Sequence, residues 1–244
     1  MGRAVTELIA ASDKCSIIAG VDINASSLGA LCPFPVYENI SEFTEKADVI
    51  IDFSHHSALA SLIEYSKATK TPLVVATTGH SDEERILMTQ ASEETAVFFS
   101  RNMSIGINLL IELCKQASAM LGEEFDVEII EKHHNNKLDA PSGTAMMIAE
   151  ALADEREGET EFVYDRHDVR RKRSSAEIGI HAVRGGTIVG EHEVIFAGNN
   201  EIVTLAHSAT SREIFANGAL KAALFMVGKT AGMYSMTDLI AAKK

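Results

Sequence analysis

The sequence predicts an α/β protein made of two parts: a doubly wound parallel sheet with helices on both faces, and an α+β part with a mixed, largely antiparallel sheet. The first part is indicated by near-continuous apolar runs at residues 47–54, 71–79 and 96–102, which alternate with helix-like segments. After a helical pattern at residues 106–121, three extended stretches between residues 178 and 210 indicate the second sheet. They are separated by Gly-Gly and Gly-Asn-Asn, the turn residues that antiparallel connections prefer.

The two ends of the chain complete this division. Apolar residues recur at helical spacing in AVTELIAA (residues 4–11), and a short buried strand is expected at residues 16–22. The segment 213–228 returns to a helical pattern and is expected to pack on the first part. The predicted domains are therefore residues 1–104 with 213–244, and residues 105–212.

Composition argues against several classes of protein. Hydrophobic residues make up 46% and charged residues 23% of the 244-residue chain, which is the balance of a globular protein. The longest apolar runs are too short and too interrupted to span a bilayer of roughly 30 Å, so no membrane partner is expected. The N-terminal residues carry no sustained apolar stretch of the kind found in a secretory signal, which predicts a cytoplasmic location.

Charge and cysteine usage narrow the function further. The formal net charge of -13 argues against a nucleic-acid partner, because phosphate binding needs a basic surface. The exception is RHDVRRKR (residues 166–173), which could clamp a phosphate, although such runs are more often solvated loops. Cys15, Cys32 and Cys114 lack the C-x-x-C spacing of a zinc or redox site, so buried thiols are expected.

A crevice beyond the carboxyl ends of the strands is the expected ligand site of a doubly wound sheet. The residues expected to converge there are Asp22, Asp52 to Ser54, Ala76 to Gly79, and Ser100 to Asn102. Asp22 stands where a Rossmann-like dinucleotide-binding domain places an acid against the adenosine ribose, and an ordinary turn acid is the alternative. Ile23 follows it, where an arginine could have accepted a 2′-phosphate, which favours NADH over NADPH.

The glycine loop G-x-G-x-x-G that normally precedes the first helix of such a domain does not occur before MGRAV. The first strand and most of this loop are therefore expected to be missing. A natural start roughly a dozen residues upstream is expected, since a strand and a glycine loop need about that length.

The densest group of reactive side chains lies in EKHHNNKLDAPSGTA (residues 131–145). Pro-Ser-Gly-Thr ahead of AMMIAEALA indicates a helix start, whose unpaired N–H groups and positive dipole end can bind a carboxylate. A plain Ser cap is the alternative. His133 can give a proton to a developing carbanion, and the Lys137 ammonium can neutralise a carboxylate or donate the proton itself.

These parts suit a reduction better than metal chemistry. Adjacent residues of an extended chain point to opposite sides, so His133 and His134 could not both face one ion unless the chain turns there, and H-E-x-x-H does not occur. A hydride added to a conjugated C=C–C=N system needs a proton on the adjacent atom. A nicotinamide held by one domain and a proton donor held by the other would be complementary, with the two domains closing on a crevice.

With these residues the sequence resembles one known family, dihydrodipicolinate reductase, also called 4-hydroxy-tetrahydrodipicolinate reductase, of lysine and diaminopimelate biosynthesis. EKHHNNKLDAPSGTA looks like the family signature E-x-H-H-x-x-K-x-D-A-P-S-G-T-A. Further matches run along nearly the whole chain: GRAV, DFS, ATTG, RNMSIGIN, AVRGGTIVGEHEVIFAG and SREIFANGALKAALF. The resemblance implies NAD(P)H-dependent reduction of 4-hydroxy-tetrahydrodipicolinate to tetrahydrodipicolinate with loss of water and without a metal.

The resemblance also implies residue roles. His133 would be the proton donor or acceptor, and Lys137 a second proton donor. The carboxylates of the small dicarboxylate substrate would be held by His134, Ser142, Gly143 and Thr144. The cofactor, NADH or NADPH, would contact Met1, Gly2, Asp22, Phe53, Ala76, Thr77, Thr78, Ser100, Arg101, Asn102 and Met103.

The sequence departs from the family pattern in three places. Met1 and Gly2 are all that remains of the loop G-x-x-G-x-M-G. Ala76 stands where glycine is common, and Arg101 where a small residue is often found.

The family's homotetramer, built through the sheets of the second domain, would fit the extended stretches that carry His181, His192 and His207. Two rival hypotheses remain. One is a non-catalytic oligomeric remnant that keeps the carboxylate pocket and binds dinucleotide poorly; the other is a different dehydrogenase of similar architecture.

Overall fold

The computed structural model describes residues 1–242, which divide into one unit of Met1–Ile105 with the chain from Glu213 onward, and a second unit of Gly106–Arg212. The α-helices of the described residues are α1 (Gly2–Ala10), α2 (Ala25–Leu28), α3 (Leu59–Thr69), α4 (Asp82–Ala91), α5 (Ile105–Leu121), α6 (Gly143–Ala153), α7 (Glu213–Met226) and α8 (Met236–Ala241). The strands are β1 (Gly20–Val21), β2 (Val36–Tyr37), β3 (Ile50–Asp52), β4 (Leu73–Val75), β5 (Ala96–Phe99), β6 (Asp126–His133), β7 (Glu161–Val163), β8 (Glu177–Arg184), β9 (Gly190–Ala197), β10 (Ile202–Ala209) and β11 (Gly232–Tyr234). Within residues 1–242, no helix combines the length and the hydropathy needed to cross a membrane.

The first unit is built on a parallel four-stranded sheet in the order β11-β5-β4-β3. Side chains of a strand alternate between faces, and β4 shows this clearly. Leu73 and Val75 join the core made by α3 and α4, whereas Val74 joins the core made by α7 and α8. Helices therefore cover both faces, and the predicted doubly wound sheet is confirmed.

The N-terminal segment of this unit forms a smaller sheet of its own. The strand expected at residues 16–22 is limited to β1, which pairs with β2 in a separate two-stranded parallel sheet. The helix expected at residues 4–11 is α1, and its buried residues Val5 and Ile9 pack against Ala216 of α7.

The second unit holds a five-stranded sheet in the order β10-β9-β6-β8-β7. The sheet is mixed, as predicted, and its four strand pairs divide evenly: β6 with β8 and β7 with β8 are parallel, whereas β6 with β9 and β9 with β10 are antiparallel. The central strand β6 alternates strictly between buried and half-buried residues. Its buried Val127 and Ile129 pack against Leu110 of α5 and Ile148 of α6, which fixes the face that continues toward the end of the strand.

One turn expectation is wrong. The Gly-Gly pair does not make a hairpin, because β6 lies between β8 and β9. Instead the backbone N–H of Gly185 donates to the carbonyl of His133 (2.9 Å), and the N–H of Asn135 donates to the carbonyl of Gly186 (3.2 Å). The glycine pair therefore closes the carboxyl end of β6, whereas Gly-Asn-Asn does connect the antiparallel strands β9 and β10.

The expectation of buried thiols holds for Cys114, whose pKa burial raises to about 12. Cys15 and Cys32 are half-buried.

The basic run is tied to carboxylates of the second unit. Arg173 contacts Asp126 (2.6 Å) and Glu128 (3.0 Å). Arg166 contacts Glu128 and Glu177, both at 2.6 Å. These two arginines are therefore paired with protein carboxylates, which leaves fewer donors of the basic run for a phosphate.

Candidate active site

Strand β6 ends with two polar side chains on its buried face, Glu131 and His133. Both follow from the strand's alternation, since residues two apart lie on one face. The Glu131 Oε2 atom lies 2.6 Å from Nδ1 of His133. A carboxylate only accepts hydrogen bonds, so Nδ1 carries a hydrogen.

The Glu131 side chain is 0% exposed, and both of its carboxylate oxygens accept hydrogen bonds. Arg184 of β8 donates to both carboxylate oxygens at 2.7 Å, and the backbone N–H of Ser142 donates at 3.0 Å. Burial by itself raises the pKa of the Glu131 carboxyl, but the hydrogen bonds from Arg184, His133 and Ser142 outweigh it and lower the pKa below its usual value. Glu131 is therefore an ionised carboxylate inside the protein.

The second ring nitrogen of His133, Nε2, faces Gly190 of β9. No described residue forms a hydrogen bond with Nε2. A Cβ atom on Gly190 would lie 3.0 Å from it, so glycine leaves the space around this nitrogen open. Nε2 is thus the nitrogen of His133 that can exchange a proton with a ligand.

His192 lies beside His133 with the two rings edge to face and their centroids 5.2 Å apart. Burial lowers the pKa of His192 to about 3, and the neighbouring His133 contributes in the same direction. His192 is therefore neutral at physiological pH. Its Nε2 atom lies 3.1 Å from the hydroxyl oxygen of Ser142.

The predicted helix start is present, and Ser142 is its N-cap. The Ser142 hydroxyl accepts from the backbone N–H of Ala145 at 3.1 Å, while Gly143 opens α6. A Cβ atom on Gly143 would meet nothing within 4 Å, so a ligand can approach this backbone.

Lys137 pairs with Asp139, with Nζ and Oδ1 2.9 Å apart. The hydrogen bond from Lys137 is the main reason why the pKa of the Asp139 carboxyl is lowered, and the backbone N–H of Gly143 adds to it. The Lys137 ammonium and the backbone N–H of Gly143 at the helix start therefore both act on the Asp139 carboxylate.

His134 lies just beyond the end of β6, where Arg212 approaches it. The Arg212 guanidinium is 3.4 Å from Nε2 of His134. Since arginine only donates, this nitrogen accepts, and a cation joins the predicted carboxylate-binding residues. Thr144 is half-buried in the first turn of α6.

In the first unit, three of the expected cofactor segments meet at one edge of the sheet. Asp52, Val75 and Phe99 end β3, β4 and β5 in register. The residues that follow these strands are Phe53, the run Ala76, Thr77 and Thr78, and the run Ser100, Arg101, Asn102 and Met103. The expected convergence therefore holds within the four-stranded sheet.

Asp22 departs from that arrangement. It follows β1 in the separate two-stranded sheet, is exposed, and accepts from the backbone N–H of Asn24 at 2.8 Å. This position is compatible with both alternatives for Asp22, an acid that binds the adenosine ribose and an ordinary acid in a turn. Met1 and Gly2 are exposed at the start of α1, where the Met1 carbonyl accepts from the N–H of Val5.

Two of these segments differ in how their polar atoms are used. The Thr77 hydroxyl is buried and has no hydrogen-bond partner among residues 1–242, which fits a polar group of a bound cofactor. Ser100, in contrast, donates to the carbonyl of Asn102 at 2.7 Å, and the Asn102 side chain accepts from the N–H of Ser104 at 2.8 Å. The loop after β5 is therefore held by its own side chains, with Arg101 exposed.

A histidine cluster at the same edge has no counterpart among the predicted residues. His56 lies 2.9 Å from Oε1 of Glu84, and the buried His80 lies 3.4 Å from Oε2 of the same carboxylate. His56 and His80 follow β3 and β4 closely; His80 lies four residues before Glu84, whereas 28 residues separate His56 from Glu84, so only the His56 contact is remote in sequence.

Sequence reasoning also missed three residues around His133. Glu131 and Arg184 lie in segments that match the family but have no predicted role, and the sequence predicts His192 only as part of the strands that would form the tetramer. The register pairs His192 with Glu131 on one side and with His207 on the other, so these three share a face, whereas His181 contacts Glu128 on the opposite face.

Comparison with known proteins agrees with this picture. The family model "Dihydrodipicolinate reductase, N-terminus" matches residues 1–103, and "Dihydrodipicolinate reductase, C-terminus" matches residues 106–240. A 4-hydroxy-tetrahydrodipicolinate reductase from Caldanaerobacter subterraneus subsp. tengcongensis is 52% identical over 240 residues, covering 98% of this chain and 94% of that protein. One from Clostridium novyi is 49% identical over 244 residues, covering 100% of this chain and 95% of that protein.

A solved structure supports the fold. The dipicolinate-bound dihydrodipicolinate reductase from Paenisporosarcina sp. TG-14 aligns with a TM-score of 0.79 at 24% identity, over 96% of this chain and 92% of that chain. The predicted fold class, family and reductase function are confirmed. Because the two family models together match residues 1–103 and 106–240, this chain belongs to the dihydrodipicolinate reductase family.

Proposed function

We propose that this protein reduces 4-hydroxy-tetrahydrodipicolinate to tetrahydrodipicolinate, with unit one binding NADH or NADPH and unit two binding the substrate. The reaction class rests on the family matches over both units. When bound, the cofactor supplies a hydride, so that substrate, NAD(P)H and one proton give tetrahydrodipicolinate, NAD(P)+ and water. The residues of this chain must then hold the dicarboxylate and deliver the proton.

His133 is the proton donor. The observation that supports this role is the state of its ring: Nδ1 is held by Glu131, and Nε2 has no partner among the described residues. The ring is largely buried, and Nε2 faces the backbone of Gly190. Lys137, which pairs with Asp139, is the second donor.

The substrate carboxylates bind between the start of α6 and the end of β6. Ser142, Gly143 and Thr144 offer a hydroxyl and the positive end of a helix, and His134 brings Arg212 with it. The segment already holds the Asp139 carboxylate through Lys137 and Gly143, so its donors suit the chemical class of the ligand. The solved relative described as dipicolinate-bound carries a ligand of the same class.

The cofactor binds along the edge where β3, β4 and β5 end. The buried Thr77 hydroxyl and the exposed backbone of Thr78 and Gly79 can accept its polar groups, and Phe53 offers an apolar wall. Asp22 would bind the ribose, and Ile23, which is 84% exposed, offers no charge for a 2′-phosphate. NADH is therefore the preferred cofactor in this proposal.

Assembly as a homotetramer through the sheet of the second unit is part of the proposal. Support comes from exposed apolar residues on this sheet, Val183 of β8 and Ile202 of the edge strand β10. Light scattering would give the molar mass in solution. The cytoplasmic location stays a prediction.

The proposal is tested by titrating the protein with NADH and NADPH in a calorimeter and then assaying reduction of freshly generated substrate. We expect saturable binding, tighter for NADH, and turnover that falls roughly 100-fold or more in His133→Ala. Saturable binding without turnover would support a different dehydrogenase. Tetramers that bind neither dinucleotide would support the non-catalytic remnant.

A further inference from the structure

We propose that Glu131 is a positioning residue that holds the His133 ring in the tautomer whose Nε2 can transfer a proton. We also propose that Arg184, which carries the opposite charge, affects the protonation of His133 in the opposite direction. The inference rests on the proposed role of His133 as proton donor. Neither residue touches the substrate in this proposal; both act through the His133 ring.

The first step is the tautomer. A neutral imidazole carries one hydrogen, and which nitrogen carries it is decided by the partner of the other. The Glu131 carboxylate is 2.6 Å from Nδ1 and can only accept, so the hydrogen of the neutral ring stays on Nδ1. Nε2 is then the nitrogen that gains a proton from solvent and delivers it to the substrate.

The second step is rigidity. Arg184 grips both oxygens of Glu131 at 2.7 Å and also donates to the carbonyl of Asp139 at 2.7 Å. The N–H of Ser142 adds a fourth hydrogen bond to the Glu131 carboxylate. One buried carboxylate therefore connects the proton donor, the loop that carries Lys137 and the helix start that receives the substrate, so their spacing is fixed before a ligand arrives.

The third step is charge. The ionisable groups placed against His133 are Glu131 from its own strand, Arg184 from β8 and the neutral His192 from β9. Lys137, paired with Asp139 in the following loop, acts on the neighbouring His192. A negative Glu131 favours the protonated ring, whereas a positive Arg184 opposes it. The two members of the ion pair must therefore shift the protonation of His133 in opposite directions when each is removed.

The test is the pH dependence of kcat for two variants. Because His133 donates its proton, activity falls as rising pH deprotonates the ring. In Glu131→Gln this fall moves to lower pH, and kcat drops by roughly 100-fold because the ring loses its fixed orientation. In Arg184→Met the same fall moves to higher pH. A variant that only damaged the fold would lower the active fraction without moving the profile.

The chain offers a matched control on the opposite face of the same strand. Glu128 also binds a histidine, His181 (2.7 Å), and two arginines, Arg166 and Arg173. Glu128→Gln therefore removes the same charge from a similar network away from His133. It is expected to keep the wild-type pH profile.

A double-mutant cycle tests whether Glu131 acts through His133. If it does, Glu131→Gln lowers the activity of the wild type and leaves the residual activity of His133→Ala unchanged. Additive losses would overturn the inference, as would a pH profile that stays in place in folded Glu131→Gln or Arg184→Met.

A measurement on the unaltered protein remains decisive if both variants fail to fold. Nitrogen-15 chemical shifts of the His133 ring, assigned by their absence in His133→Ala, report the tautomer directly. A hydrogen on Nδ1 supports the inference, and a hydrogen on Nε2 overturns it. This measurement needs no turnover, so loss of the proposed function alone would appear as an inactive wild-type protein with the Nδ1 tautomer intact.

Discussion

The hydroxyl oxygen of Ser142 receives two donors at once: it lies 3.1 Å from Nε2 of His192 and accepts from the backbone N–H of Ala145, also at 3.1 Å. Nδ1 of His192 is buried without a partner among the described residues. Because a buried N–H is rarely left unpaired, we assign the hydrogen to Nε2, which donates to Ser142. The hydroxyl hydrogen of Ser142 is then available to a carboxylate.

His192 should make the protein sensitive to acid. Its pKa is lowered from 6.5 to about 3 in the folded protein. Between these two pH values His192 therefore binds a proton in the unfolded chain but not in the folded one. Stability is therefore lost as pH falls from 6.5 toward about 3. Between about pH 7 and about pH 5, wild type should lose about 2 kcal/mol more than His192→Gln, measured by urea unfolding.

The comparison isolates His192 because all other titrating groups are shared. Glutamine keeps an amide donor for Ser142 and does not titrate. Equal losses of unfolding free energy in the two proteins would show that His192 is not held neutral.

Removing the Thr77 hydroxyl should separate binding from stability. The hydroxyl is buried without a partner in the described chain, so Thr77→Val loses no internal hydrogen bond and keeps the shape of the side chain. We expect an unchanged or higher melting temperature and roughly fivefold weaker NADH binding by calorimetry.

A second buried threonine provides the contrast. Thr95 is hydrogen-bonded to Ser66 at 2.9 Å, so Thr95→Val should cost about 1 kcal/mol of stability and leave cofactor affinity unchanged. If Thr77→Val behaves like Thr95→Val, the Thr77 hydroxyl does not meet the cofactor.

Gly190 should protect the reacting nitrogen of His133. The Cβ atom of an alanine there would lie 3.0 Å from Nε2 and 3.3 Å from Cδ2, so the ring must move by a few tenths of an ångström. A misplacement of about 1 Å can cost roughly 100-fold, so we expect kcat to fall in Gly190→Ala by up to roughly this factor.

The control is Gly185→Ala in the loop before β9, where the added Cβ meets nothing within 4 Å. Its circular dichroism and kcat should match wild type. An active Gly190→Ala enzyme would mean that His133 does not need its observed position.

The success of sequence reasoning depended on how local each signal is. Strands such as β4 and helices such as α5 were predictable because an apolar run or a helical period lies within one segment. The ion pair of Arg184 with Glu131 was not, because 53 residues separate them and the pairing depends on β8 lying parallel to β6. The hairpin expected at the Gly-Gly pair was wrong for the same reason, because a turn motif does not reveal that β6 lies between the flanking strands β8 and β9.

The proposed site shows the same limit. His133, Lys137 and Ser142 lie close in sequence and could be selected from the motif alone. Glu131 was part of the same motif, but only the alternation of β6 and the register with β9 show that it shares a buried face with His192. The positioning role that we propose for Glu131 therefore could not be predicted from the motif.

The last prediction concerns the loop after β5. A Cβ atom on Gly218 of α7 would overlap the backbone carbonyl of Met103, which cannot move aside as a flexible side chain would. Gly218→Ala should therefore force the helix and the loop apart and cost on the order of 3 kcal/mol, although alanine favours a helix. Because Met103 ends the segment proposed to contact the cofactor, NADH affinity should fall as well. Ala216→Gly, at a fully buried position of the same helix, is the control: it should cost about 1 kcal/mol through helix propensity and roughly 1 kcal/mol more through the lost buried methyl group, and leave NADH affinity unchanged. Urea unfolding and calorimetry on both variants decide the matter, and a Gly218→Ala protein with wild-type affinity would place the cofactor away from this loop.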